Sequence, residues 1–213
     1  MKQIILFIGA TMIAASPVNA EVRGGDTYVG VYAGISSTAP HYEELISTGM
    51  DRNPSMNGAV AGIFIGHDIK SKGMLAGVET DFGLLNSHAP NDPADANWYT
   101  AYKAKWNAHL RGRLGVAIGK STKLYVAGGI AALRMVVDDT DPDWGMVTQT
   151  HLGWSLGGGI EHKIGPAFII RADYIHDDFA TRTGNITYQG VPYYGFRTGP
   201  TSDTMRVGIG YRF

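Results

Sequence analysis

Over residues 204–213 apolar positions alternate with polar or small ones without a break. Met205, Val207, Ile209, Tyr211 and Phe213 share one parity, and Arg206, Gly208, Gly210 and Arg212 share the other. A period of two predicts a β-strand, because successive strand side chains point to opposite faces. The same alternation sets Val29, Val31, Ala33 and Ile35 against Tyr28, Gly30, Tyr32 and Gly34 over 27–36. It returns over 57–69, 74–84, 106–118, 152–164 and the stretch from Phe168 to Ile175. Residues 124–137 are long enough for a strand but apolar on both parities apart from Arg134, so their faces stay unassigned. The prediction is eight strands. A final strand leaves an unpaired edge unless another strand covers it, and joining 204–213 to 27–36 closes a barrel.

The connections alternate in length. Long ones are expected at 37–56, 85–101, 138–148 and 180–201, and short ones at 70–73, 119–123 and Gly165-Pro166. Brief turns at one rim and long loops at the other predict an all-β, eight-stranded, antiparallel up-and-down transmembrane β-barrel with short periplasmic turns and long extracellular loops. No helical period runs long enough to suggest a βαβ fold.

Which face looks at lipid decides the rest. A soluble lipocalin-like barrel would turn its apolar parity inward. Against this, the rings on the apolar parity fall near strand ends. Phe82, Trp106 and Trp154 lie toward the long-loop rim, and Phe168, Tyr211 and Phe213 toward the short-turn rim. Two such girdles are expected where rings sit at the two membrane interfaces. His67 and His162 also lie on the apolar parity, each beside a short turn where a polar ring is tolerable. The other parity then lines the inside. It carries Asp68, Glu79, Asp81, Glu161 and Asp173 with Arg111, Arg113, Lys163, Arg171, Arg206 and Arg212, a mutually neutralising interior network. Eight strands enclose only enough space for side chains, so a broad pore is not expected.

Composition adds three constraints. Glycine is abundant, 29 of 213 residues, which suits close strand approaches and room for long interior side chains. With 18 basic and 19 acidic residues there is no basic excess of the kind a nucleic-acid binder shows. Cysteine is absent, so no disulfide framework or cysteine metal site is available. Residues 1–20 read as a secretory signal: Lys2, an apolar run over 4–15, then Val18-Asn19-Ala20. The barrel domain is expected over 21–213.

The stretches AGIFIGHDI, AGVETDFG, LRGRLGVAI, HLGWSLGGGIEHKIGPAFIIRADYI and the closing VGIGYRF resemble the small eight-stranded outer-membrane β-barrel proteins of Gram-negative bacteria. The nearest likeness is to the porin-like surface barrels of alphaproteobacteria, related to the OmpA transmembrane domain. The resemblance runs from about Thr27 to Phe213. It implies an outer-membrane location, contact with outer-membrane lipid and lipopolysaccharide, and a carboxy-terminal strand read by the barrel-assembly machinery through Val207, Ile209, Tyr211 and Phe213. His67 and His162 stand where the family usually shows tyrosine.

Catalytic chemistry finds little support, and no catalytic, cofactor-binding or metal-ligating residue is assigned. His151 and Ser155 share a parity, but four residues along a strand span roughly 13 Å, far more than the roughly 3 Å a base and nucleophile need. The acidic run 138–143 lacks the glycine and terminal glutamate of a calcium loop and is expected to be solvated. Tyr188, Tyr193, Tyr194 and Phe196 could bind a host surface, a haem group or a phage, or fold over the barrel mouth. The expected function is structural and surface-interactive, supporting the envelope and contacting ligands or a host through the loops. A narrow channel for small solutes is the alternative, and a lipopolysaccharide-modifying enzyme a lesser one.

Overall fold

A computed structural model describes residues 25–45, 51–52, 55–89, 100–139, 143 and 145–213. The expected signal, 1–20, and residues 140–142 of the acidic run lie outside the described residues. Among those described, ten strands form: β1 (Gly25–Glu44), β2 (Asp51–Arg52), β3 (Met56–Ser71), β4 (Met74–Ala89), β5 (Thr100–Ile118), β6 (Thr122–Asp139), β7 (Val147–Ile164), β8 (Phe168–Phe179), β9 (Arg182–Tyr188) and β10 (Val191–Arg212). Each pairs antiparallel with its neighbours in the order β2-β1-β3-β4-β5-β6-β7-β8-β10-β9, and β1 also pairs with β10. Eight of them therefore close a ring, while β2 and β9 extend it at one rim. The closing ladder sets Val31 opposite Ile209 and runs from the Tyr28–Arg212 pair to Glu44 opposite Phe196. At the β3–β4 turn Lys72 (φ 48°) and Gly73 (φ 82°) both take positive φ, as a tight two-residue hairpin turn requires.

The apolar parity faces outward. Leu114 is 62% exposed, Leu156 56% and Val207 65%, whereas Glu79 and Arg113 are each 1% exposed. The β6 faces become definite too: Leu124, Val126 and Ile130 point outward, and Tyr125, Ala127, Ala131, Leu133 and Met135 are buried inside. On β10 the outward apolar run covers 205–213, nine residues. At roughly 3.3 Å per residue and a tilt of about 40° this covers roughly 23 Å of height, against an apolar band of about 25 Å in outer-membrane barrels. The rings mark its edges. Phe82 and Trp106 lie 5.8 Å apart at the long-loop side, and Phe168 and Tyr211 meet edge-on at 5.6 Å at the other. Leu114→Arg, near the middle of this face, is expected to lower stability by about 2 to 4 kcal/mol. Urea unfolding in lipid vesicles checks this, and an unchanged midpoint would contradict lipid contact at that position.

The connections expected as long loops are largely ladder. β1 continues to Glu44, β4 to Ala89 and β6 to Asp139, and the stretch 180–201 folds as β9 paired with the first part of β10. The ladder outlasts the lipid face because backbone groups need partners whether or not the side chains outside are apolar. The extended strands form a collar above the membrane.

The interior has three tiers. Charged side chains fill the membrane level. Above them Ser36, Thr38, Ser202 and Thr204 form a hydroxyl layer, with Ser202 Oγ 3.2 Å from both Ser36 Oγ and Thr38 Oγ1. The collar holds an apolar core that includes Tyr42, Met56, Tyr102, Leu133, Met135, Phe179, Ile186 and Phe196. Tyr42 and Phe196 are wholly buried there and stack at 5.2 Å.

Candidate functional site: the charged lumen

Strand pleating aims alternate residues of β4, β5, β7, β8 and β10 into a space too narrow for water to hydrate them separately. Cross-strand register does the first pairing: Glu79 lies opposite Arg111, Asp81 opposite His109, Glu161 opposite Arg171 and Asp173 opposite Arg206. The remaining contacts cross the lumen. Arg171 donates Nη1 to Glu79 Oε2 at 2.6 Å and Nη2 to Oε1 at 3.0 Å, a two-pronged bond. Arg111 and Arg113 each donate to the same carboxylate at 3.2 Å, and the Tyr28 hydroxyl at 3.0 Å. Asp81 accepts from Arg111 at 2.6 Å and pairs with Arg206 at 3.0 Å. Asp173 Oδ2 accepts Nε from Arg171 at 2.9 Å and from Arg206 at 3.0 Å. Glu161 takes Arg113 at 3.3 Å and Lys123 at 2.9 Å.

Aromatic rings complete the packing around the guanidinium groups. Arg171 lies 4.5 Å from the Phe64 centroid, Arg113 4.0 Å from Tyr125 and Arg206 4.2 Å from Tyr32. Those rings need glycine beside them. A Cβ on Gly66 would meet the Tyr28 ring, and one on Gly30 would meet the end of Phe64. Such a set is demanding rather than simply stabilising, since each ion gives up hydration that its partners must replace.

The structure thus brings together Glu79, Asp81, Arg111, Arg113, Glu161, Arg171, Asp173 and Arg206. It does not place Lys163 and Arg212 among them. Arg212 pairs with Asp26 at 3.0 Å, and both Arg212 and Lys163 line a pocket at the short-turn mouth. They share the inward parity but sit too near the strand ends to reach the centre. Asp68 is buried between Arg113 at 3.6 Å and Lys123 at 3.8 Å. His109 and Asp177, which alternation alone does not single out, also join the network. His109 Nδ1 lies 2.8 Å from Asp81 and Nε2 3.1 Å from Asp177, so two carboxylates face its two ring nitrogens. The inward parity of both residues was visible; their meeting across the lumen, 68 positions apart, was not.

Among the described residues His151 and Ser155 do not form a base–nucleophile pair. Ser155 Oγ is buried without a hydrogen-bond partner among the described residues, and His151 Nδ1 faces the Ala180 carbonyl at 3.3 Å. Among the described residues no group of three or more His, Cys, Asp or Glu could hold a metal ion. Of the expected assembly residues, Val207, Ile209, Tyr211 and Phe213 all face outward, and the Phe213 N–H donates to the Thr27 carbonyl at 3.0 Å. Of the aromatic stretch, Phe196 is buried in the collar while Tyr193 is 66% exposed, its ring 6.1 Å from Tyr188.

Residues 5–213 match the family described as outer membrane protein beta-barrel domain. The chain belongs to that family. As an outer-membrane β-barrel protein it is 26% identical to the 31 kDa outer-membrane immunogenic protein of Brucella melitensis, with both chains covered in full. It is 24% identical to the 22 kDa outer membrane protein of Rhizobium leguminosarum over 91% of this chain and 82% of that one. In fold it is similar to the outer membrane protein OprG of Pseudomonas aeruginosa, with a TM-score of 0.63 at 11% identity over 89% of this chain and 96% of that one. The barrel is located in the outer membrane of a Gram-negative cell.

Proposed function

We propose that this outer-membrane barrel is a non-conducting, non-enzymatic scaffold that supports the envelope and presents its extracellular loops for contact with ligands or a host. The observation that carries this reading is the filled interior. Four arginines and their carboxylates occupy the membrane level, hydroxyls the next tier, and the Tyr42–Phe196 stack with its neighbours the collar. A route for solute would have to displace all three tiers. The lumen histidine His109 is held between two carboxylates, and among the described residues no serine, threonine or tyrosine hydroxyl is hydrogen-bonded to its ring, which supports the non-enzymatic part. Exposed Tyr188 and Tyr193 at the β9–β10 turn support recognition, since amphipathic rings are favoured in contact surfaces. The name of the Brucella relative, an outer-membrane immunogenic protein, accords with loops that reach the cell surface.

Purified, folded protein in planar bilayers is expected to give no conductance steps. Reproducible steps at the single-protein level would replace this reading with that of a narrow channel. Lipid A of unchanged mass in cells with and without the gene is the matching expectation for the absence of enzymatic activity, and a mass shift would overturn it.

A further inference from the structure

The short-turn mouth carries a charge pattern that neither the lumen network nor the loop reading uses. A pocket of about 610 Å³ opens between the β3–β4 and β5–β6 turns, and Lys70, Lys72, Lys120, Lys123, Lys163 and Arg212 line it. No carboxylate is among its lining residues. Three of the cations are answered from outside the lining: Lys70 and Arg212 by Asp26, and Lys123 by Glu161. The ammonium groups of Lys72, Lys120 and Lys163 have no ion pair or hydrogen bond among the described residues. Ser71 and Ser121 add hydroxyl donors to the same wall, while Thr122 Oγ1 is engaged with His162 Nδ1 at 2.9 Å.

We propose that this mouth is a binding site for a phosphate-class anion reaching it from the periplasmic side. Lysine meets phosphate as a mobile point charge, and three ammonium groups without an ion pair, lining one pocket with serine hydroxyls, suit an oxygen-rich, multiply charged group. The volume falls in the range of ordinary ligand pockets, roughly 300 to 1,000 Å³. A concave wall of one sign focuses its field and raises the local anion concentration. The rim lies level with the Phe168–Tyr211 pair, hence with the inner-leaflet headgroups. The phosphate can therefore come from an anionic phospholipid headgroup or from a soluble phosphate compound, and the two sources share one chemistry.

The test uses the full barrel, folded and checked for closure by different migration of boiled and unboiled samples. Inorganic pyrophosphate is titrated calorimetrically into detergent-solubilised protein, and retention of phosphatidylglycerol against phosphatidylcholine is measured by native mass spectrometry. Saturable pyrophosphate binding points to a soluble source, and selective phosphatidylglycerol retention alone to the headgroup; either supports the site. In both cases Lys72→Gln/Lys120→Gln/Lys163→Gln is expected to weaken binding about tenfold or more. Lys103→Gln/Lys105→Gln, at the opposite rim, should leave it unchanged. Absence of binding in both arms overturns the proposal. So does binding that the triple variant retains, which would mark it as adventitious. Neither result bears on conductance, so the scaffold reading stands or falls separately.

Discussion

Glu79→Ala is expected to destabilise the barrel by about 3 to 5 kcal/mol, the cost of leaving buried ions without their partner. The carboxylate lost is the one on which Arg111, Arg113 and Arg171 converge, with Arg206 at 3.6 Å, and all four guanidinium groups are buried. Among the described residues, their mutual repulsion would then be opposed by Asp81, Asp173, Glu161 and Asp68. Urea midpoints in lipid vesicles give the measurement. The paired variant Glu79→Gln/Arg171→Met should recover a substantial part of the loss, because it removes a charge of each sign from a space where neither is hydrated. A loss under about 1 kcal/mol for Glu79→Ala would mean that water enters the lumen and solvates the arginines.

Phe196→Ala is expected to damage a different part of the molecule. Removing a wholly buried phenylalanine typically costs about 3 to 5 kcal/mol, and here the lost contacts belong to the collar, where Phe196 stacks on Tyr42. The membrane-level network does not include it. The variant should therefore keep its resistance to unfolding on an unboiled gel while trypsin gains access to Arg182 and Arg197, which flank the β9–β10 hairpin. If the whole barrel loses its heat-dependent mobility, the collar and the membrane tier form one cooperative unit instead of two.

How far these features could be read from the chain depends on whether lipid constrained them. Along 27–36 and 204–213 hydrocarbon demands an apolar residue at every second position, and the strand, its face and its seam are all legible. Past Ile35 the outward positions of β1 are Ser37, Ala39, His41 and Glu43, which water tolerates as readily as a loop would, so the strand disappears from the pattern. Pro40 and Pro200 lie opposite each other in the ladder, and proline within a run ordinarily argues against a strand. On β6 the ambiguity had another origin. Its inward residues at membrane level carry no charge: Ala127 and Ala131 leave room for arginines reaching from other strands, and Tyr125 packs its ring against Arg113, so both faces look alike. In the lumen, alternation identified which charges point inward. It could not tell that His109 meets Asp177, or that Arg212 stops at the mouth beside Asp26, because those outcomes depend on tilt and height around the ring.

The split between an ionic lumen and a greasy collar has an evolutionary consequence. Every inward substitution at membrane level must respect a shared balance of charge, so change there has to be concerted. The collar is an ordinary small oil-filled domain standing on continuous strands, where volume-conserving swaps are cheap, and the tips above it can diversify without disturbing the charges below. Lineages carrying this barrel should therefore drift fastest at the crown and slowest at residues such as Glu79 and Arg171, and crowns should be exchangeable between relatives by cutting at the hydroxyl layer of Ser36 and Ser202.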